Sequence, residues 1–477
     1  MFRLRSVSSC IVAGVLTLGA PRVLAQAGAG VVSKGLTIQA AIDALVNRNL
    51  PLMAARYNVD LFRAQRVAAA LKPEPTVVVS ATQLTLPRVL AHPRYAGVAV
   101  ADNSILDTQF SVNVEKLVER GGKRELRTAE ADIETDAAEA RLSDELRRQT
   151  FELRQAFLSA LLARENLRVF RANLRDFGRM QRVFVAQVDE GYTAGVDLRR
   201  IGLELVELEG SVSSAQTTYV EGVRDVLNLI GEGERESLGS APAAIRARAV
   251  DAPPFNVADP IQDDSIDLLA GDLTVGPVNA EIEEIRKLAL DNRPDLRAAR
   301  LELDAADAAL KLAEAGRTRD VTVSAQYLRS GPDNAVGVAL GVPLTTDRRA
   351  AAAVAQATAT RLQAEVRLRQ MRAQVLTDVE KAFVAYRISR DRLRLFDGRI
   401  LRQASEVRDI EQVAYQEGQR GLLSFLDAQR AYNQTLVSYN EARHAFAMSV
   451  YQLESATGTS ATRLGETSSP ASGGSHE

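Results

Sequence analysis

The sequence contains little of what most catalytic and metal sites require. Its 477 residues include one cysteine, three histidines and no tryptophan. Because Cys10 is the lone cysteine, a disulfide framework and a thiolate metal centre are both excluded. The histidines, His92, His444 and His476, lie far apart in sequence, and none has a partner at the helical spacing of metal ligands. We therefore assign no catalytic residue, no metal ligand and no cofactor-binding residue from the sequence.

Long apolar runs and an excess of one charge are also missing. Lys and Arg number 59 against 61 Asp and Glu, for a net charge of −2, so no basic excess points to nucleic acid. The mean hydropathy is −0.10. No internal stretch approaches the roughly 20 apolar residues of a transmembrane helix. If this chain crosses a membrane, a closed β-barrel is the alternative that satisfies its backbone groups.

The N-terminus has the features of a secretory signal peptide. Two arginines precede an apolar core at 11–20, and the small residues at 23–25 suit cleavage. The order of charge, core and cleavage site predicts a signal peptide over residues 1–25, in preference to a buried first helix. Its removal takes Cys10 away, so the mature chain would hold no cysteine.

The mature chain contains an internal sequence repeat. Residues 38–84 match residues 282–328, with Ala-Ala-Arg and Ser-Ala at the same offset in both and a one-residue slip near the start. Such self-similarity predicts two copies of one structural unit. We expect a first repeat at 37–231 and a second at 279–458.

Two segments fall outside the repeats. Residues 232–278 are rich in proline and are predicted to be a linker, with room for a short strand. The tail at 459–477 is rich in Ser, Thr and Gly and is predicted to be disordered.

Each repeat is predicted to contain a helix, two short strands, a very long helix, a glycine-containing turn and a return helix. In chain order the expected ranges are 37–72, 76–86, 108–115, 123–188 and 196–230, then 279–316, 321–329, 336–343, 348–416 and 421–457. The strands alternate apolar and polar residues, except 76–86, whose register stays open. The long helices have the spacing of coiled coils, and about 65 helical residues would reach roughly 100 Å.

Two segments carry a family resemblance. Residues 414–430, AYQEGQRGLLSFLDAQR, and the run ERGGKR at 119–124, together with the repeat and the element order, resemble the outer-membrane efflux (TolC) family. Within that run, the GGKR segment resembles the heavy-metal, CzcC-like branch of the family. The resemblance implies a mainly α fold with a membrane β-barrel portion. Long α-hairpins would form a helical tunnel, and each chain would give four strands to a shared twelve-stranded trimeric barrel.

The function implied by this resemblance is that of a channel and not of an enzyme. Family members conduct solutes passively from a tripartite efflux pump to the exterior, without cofactors. The implied partners are two further copies of the chain, a periplasmic adaptor protein, an inner-membrane pump of the resistance-nodulation-division type and outer-membrane lipid. The implied location is the outer membrane of a Gram-negative bacterium, with a large periplasmic extension.

The resemblance also assigns residues to the closed periplasmic end of the tunnel. Asp197 matches the tethering carboxylate, Tyr415 and Arg420 match its partners, and Asp427 matches an acidic residue of the aperture. The hairpin turns, which would also contact the adaptor, include Glu190, Gly191, Gly195, Glu417, Gly418 and Leu422. Gly191 and Gly418 are expected to supply turn conformations. Glu204 and Glu207, by contrast, are interpreted as a solvated helix face.

Two other interpretations of the function are compatible with the sequence. The outer component of a type I protein secretion system shares this fold. A soluble periplasmic coiled-coil scaffold would explain the signal and the helices, but not four alternating strands at equivalent points of two repeats.

Overall fold

The computed structural model describes residues 35–82, 109–190, 194–232, 268–330, 333–344 and 347–459. Its helices are very unequal in length, as predicted. They are α1 Ile38–Arg48, α2 Leu50–Ala70, α3 Lys123–Asp189, α4 Gly195–Leu229, α5 Ile282–Asn292, α6 Pro294–Ala315, α7 Asp347–Leu395, α8 Leu401–Gln416 and α9 Leu422–Thr457, with a π-helical turn at Phe396–Ile400 between α7 and α8. The predicted signal peptide, the tail beyond Thr459, most of the linker and Gly191 lie outside the described residues.

The single helices predicted at 37–72 and 279–316 are each two helices. α1 ends before Asn49 and α5 before Arg293, where the backbone is extended with ψ near 125° (126° and 122°). Pro51 and Pro294 cause the breaks, because proline has no N–H to donate and fits only the first turn of a helix. Asn49 caps the new helix, since its side chain accepts a hydrogen bond from Leu52 N at 3.0 Å.

Within the described ranges, six strands form two sheets. They are β1 Leu36–Thr37, β2 Thr76–Thr82, β3 Gln109–Val118, β4 Leu269–Ala270, β5 Val321–Ser330 and β6 Asp333–Gly341. β1 pairs with β4 in parallel, so the predicted linker does contain a short strand. The other four form an antiparallel sheet in the order β2-β3-β5-β6, and β2 pairs Val79 with Val112, which fixes the register left open.

The four-stranded sheet has one apolar and one polar face. Pairing places Val112 opposite Tyr327 and Val114 opposite Ala325, and Val336 and Val338 lie beside those same residues of β5. The intervening positions carry mostly Ser, Asn, Gln, Thr and Gly, and the exceptions include Val78, Leu117, Leu328, Ala335 and Ala339. The side chains of the apolar face are exposed: Val336 is 80% and Val338 76% accessible.

Below the sheet the long helices pack side by side in the order α4, α3, α9 and α7. One hydrophobic core follows α3 and α4 from Leu153 to Phe184 and includes Leu422 of α9. A second core joins α7 to α9 around Val375, Val379 and Phe446. In the described ranges, no helix has an apolar stretch long enough to cross a bilayer.

The second long helix differs from the first in one respect. α3 is continuous, but the helix predicted at 348–416 is interrupted by the π turn Phe396–Ile400. Phe396 anchors the turn against Tyr439 of α9, with ring centroids 6.2 Å apart. A π turn accommodates one extra residue in a helix, which a periodic apolar pattern does not reveal.

Candidate gate at the ends of the helical hairpins

The turns of the two hairpins come together at one end of the bundle. α3 ends at Asp189 and α4 begins at Gly195, while α8 ends at Gln416 and α9 begins at Leu422. Gly418 has φ +72°, so it supplies the left-handed conformation that other residues resist, as predicted. Glu190 and Glu417 follow the last residues of α3 and α8.

Leu422 does not face outward beside the turn. It is 4% exposed and packs in the core with Phe425 and Leu426, because the spacing of these three residues puts them on one helical face. In this conformation Leu422 is therefore a core residue and not the exposed adaptor contact that the resemblance implies.

An aromatic stack joins the two hairpins at this end. The ring of Tyr415, in α8, lies between Phe184 of α3 and Phe425 of α9. Both centroid distances are 6.0 Å, and the interplanar angles are 7° and 12°. Phe184 is 3% exposed. The stack is the contact through which the end of α8 meets the first hairpin, and sequence reasoning identified only its central member.

The predicted tethering carboxylate, Asp197, also affects the pKa of Tyr415. Burial, and after it the negative charge of Asp197, raises the pKa of the Tyr415 hydroxyl. The hydroxyl thus stays protonated and able to donate a hydrogen bond. The charge of Asp197 on the first hairpin thus contributes to the raised pKa of Tyr415 on the second.

The predicted Asp197–Arg420 ion pair is not formed in this conformation. Asp197 instead binds Arg200, one turn along α4, at 3.2 Å, and Arg420 lies 3.4 Å from Glu411 of α8. Each charge is therefore satisfied within its own hairpin. Asp427, the predicted aperture residue, has a side chain that is 63% exposed and lies 3.7 Å from Arg430.

A stronger link between the hairpins lies nearby. Arg430 Nε of α9 donates to both carboxylate oxygens of Glu204 in α4, at 3.1 and 3.0 Å, and its Nη2 also contacts that carboxylate. The side chain of Glu204 is only 6% exposed. The interpretation of Glu204 as part of a solvated face is therefore wrong, because the paired arginine offsets the cost of burying its charge. Charge-assisted bonds of this kind are among the strong ones.

A second missed contact supports the first. Gln429, beside Arg430, donates from Nε2 to Asn173 Oδ1 of α3 at 3.3 Å, and both residues are buried. Sequence spacing alone gives no sign of this pairing, since the residues are 256 positions apart. Together with the aromatic stack, these polar links tie α9 to both helices of the first hairpin.

No group of His, Cys, Asp and Glu within the described residues could hold a metal ion. His444 of α9 is partly buried, and burial lowers its pKa. Its Nε2 finds no hydrogen-bond partner among those same residues. This environment is that of a neutral packing residue.

The fold is similar to that of several solved outer-membrane proteins. CusC superposes with a TM-score of 0.67 at 16% identity over 88% of this chain and 92% of its own. VceC from Vibrio cholerae gives 0.66 at 18% identity over 89% and 96%. The outer membrane channel CmeC from Campylobacter jejuni gives 0.67 at 13% identity over 88% and 85%. The chain therefore shares the fold of these three proteins.

A family model matches part of the second half of the chain. Residues 285–459 match the family described as "Outer membrane efflux protein". That match covers the second repeat, and with the shared fold it agrees with the resemblance predicted from the sequence. Among curated protein sequences, none matches. The heavy-metal branch stays a prediction.

Proposed function

We propose that the chain is one subunit of a trimeric exit duct, which passively conducts solutes from a tripartite efflux pump to the cell exterior. The observation that carries this proposal is the four-stranded sheet. One of its faces is apolar and exposed, and β2 and β6 lie at its two edges. Copies that pair edge to edge would satisfy both edges.

The sheet requires other copies if it lies in lipid. About eight strands are needed even to enclose side chains, and an unpaired edge in a bilayer leaves backbone groups without partners. Three chains would supply the twelve strands of one barrel. The apolar positions Val336, Val338 and Leu340, which are 71–80% exposed in one chain, would then face lipid.

The helices suit the periplasmic part of such a duct. At 1.5 Å per residue, the 67 residues of α3 reach about 100 Å. The repeated element order in the two halves supports a tunnel wall built from equivalent hairpins. A periplasmic adaptor would meet the hairpin ends, and a resistance-nodulation-division pump would supply the energy, so the duct itself needs no cofactor.

The cross-hairpin links at the free end support a gate. We infer that the Tyr415 stack and the Glu204–Arg430 pair hold the ends of the hairpins inward, and that Asp427 contributes to the aperture. An adaptor that binds the open arrangement better than the closed one would shift the population toward it. Opening would then resemble an iris, because the hairpin ends move outward together.

The proposal is tested on the protein extracted from the outer-membrane fraction. We expect extraction to require detergent and the unheated protein to migrate as a trimer that boiling dissociates. Val338→Arg, on the apolar face, should strongly reduce the trimer recovered, because a charge on the lipid face costs about 2–4 kcal/mol near the bilayer midplane. Ala339→Arg, one residue along on the polar face, is the matched control and should assemble.

A monomer released from membranes by salt would contradict the proposal. Equal recovery of the Val338→Arg and Ala339→Arg variants would do the same. Either result would favour a periplasmic coiled-coil scaffold.

A further inference from the structure

The charges at the helix end of the sheet are sorted by face. In β3, Lys116 has the same parity as Val112 and Val114 and pairs with Val323. It therefore lies on the apolar face, while its neighbour Glu115 lies on the polar face. Lys116 is exposed.

We extend the same alternation by two residues past the last pair of the ladder to assign the next positions to a face. That pair joins Val118 to Val321 on the apolar face, so the next positions on this face are Arg120 and Arg319, opposite each other. The backbone N–H of Arg120 donates to Asp320 Oδ1 at 2.9 Å, which keeps the two segments together beyond the strands. Both arginines are exposed.

The carboxylates of this region have partners of their own. Glu119 accepts from Arg127 at 2.8 Å, and Asp320 lies 2.8 Å from Lys123 Nζ. In the part of the chain that the structure describes, neither Lys116 nor Arg319 forms an ion pair. The cations at the end of the apolar face are therefore available to an outside anion.

We propose that Lys116, Arg120 and Arg319 form a phosphate-binding rim for the headgroups of anionic phospholipids. The inference rests on the proposed function, which puts the apolar face in lipid and the helices in the periplasm. The rim then lies where acyl chains give way to headgroups. Long cationic side chains at such a boundary keep their stems along apolar surface and their charges in the polar layer. With three chains the rim would carry nine cations around the duct.

The occupant is a phospholipid because the cations continue an apolar lipid-facing surface. A soluble anion would use the charges alone, whereas a lipid uses both the charges and the valines beside them. The charged residues also lie at the end of the sheet from which α3 leaves, since α3 begins at Lys123.

The test measures lipid selectivity of the full-length trimer reconstituted in phosphatidylcholine vesicles. The probes are spin-labelled phosphatidylglycerol and spin-labelled phosphatidylcholine with the same acyl chains, and the association constants are compared by electron paramagnetic resonance. We expect a preference of at least about fivefold for phosphatidylglycerol, the effect of roughly one cation near an anionic surface. The preference should weaken at high salt.

The variant Lys116→Gln/Arg120→Gln/Arg319→Gln should bind both probes equally. The control Arg182→Gln/Arg199→Gln/Arg372→Gln removes the same charge from exposed positions on the helices and should keep the preference. Equal binding by the wild-type protein, or equal loss in both variants, would overturn the rim. Failure of the wild-type chain to enter vesicles as a trimer would instead contradict the proposed function, so the two failures are distinguishable.

Discussion

The two long hairpins have similar lengths but are held very differently. α3 is unbroken for 67 residues and has buried side chains from Ala131 to Phe184, five residues before its end. α7 is followed by the π turn, and the sixteen residues of α8 bury none of their side chains in the chain. The second core likewise stops near Tyr386, above the π turn.

This contrast indicates where one chain is rigid and where it can yield. The first hairpin is a continuous packed wall, whereas α8 is held to the bundle by α9, by the Tyr415 stack and by few other contacts. Regions with little buried apolar surface open at low free-energy cost. We therefore expect α8, and not α3, to move when the proposed duct opens, and four experiments test this difference between the hairpins.

The largest effect should come from the aromatic stack. Phe184→Ala removes a buried ring and should cost about 3–5 kcal/mol of local stability, which frees the end of α8. Hydrogen exchange of residues 401–416 should accelerate strongly. Val183→Ala, at a side chain that is 54% exposed, is the control and should change little. Unaltered exchange in the Phe184 variant would mean that α8 is held elsewhere.

The cross-hairpin ion pair should have the next largest effect. Arg430→Ala leaves the buried Glu204 carboxylate without its partner and should cost about 2 kcal/mol. We expect a higher open fraction in single-channel recordings in planar bilayers. The comparison is Arg420→Ala, whose side chain is 59% exposed and should contribute at most about 1 kcal/mol. A larger opening in the Arg420 variant would favour the predicted Asp197–Arg420 tether instead.

The π turn should have a smaller effect. Deletion of Gly398 removes one residue from a turn that accommodates one extra residue, so a regular α-helix can form across it. We expect slower hydrogen exchange over 396–400 and a reduced open fraction, with the trimer preserved. Loss of the trimer, or faster exchange, would show that the turn is needed for packing and does not provide compliance.

The smallest effect should be a pH dependence at His444. Burial lowers its pKa from the ordinary value of 6.5, so the unfolded chain binds a proton at a higher pH than the folded chain. Stability is therefore full above about pH 6.5, and it falls with pH until the lowered folded pKa is reached. The thermal midpoint of wild type should fall more between pH 7 and pH 5 than that of His444→Met. Parallel slopes would exclude a contribution from this histidine.

Sequence periodicity was sufficient to place the long helices and the strands of the larger sheet, because these elements are long and regular. The strands begin and end within a few residues of the predicted ranges where they are described, and the alternation of β5 and β6 matches the two observed faces. The breaks at Asn49 and Arg293 were missed although Pro51 and Pro294 mark them, because the apolar spacing continues through each break.

The gate was harder to predict because its contacts join distant parts of the chain. Tyr415 and Asp197 came from a local resemblance, and their pairing stays a prediction. The Glu204–Arg430 pair is 226 positions apart in sequence, and a lone glutamate on a helix gives no sign of burial. Only packing of α4 near α9 decides that Glu204 is enclosed.

The unpaired edges of the sheet have a consequence for biogenesis. In a single chain, the outer edges of β2 and β6 are both open to pairing. Such edges can pair with any other exposed strand. If three chains close one sheet, the folded fraction depends on protomer concentration by mass action. The step most sensitive to low expression would then be assembly of the sheet, and a cell making few copies would accumulate protomers that are vulnerable to proteolysis.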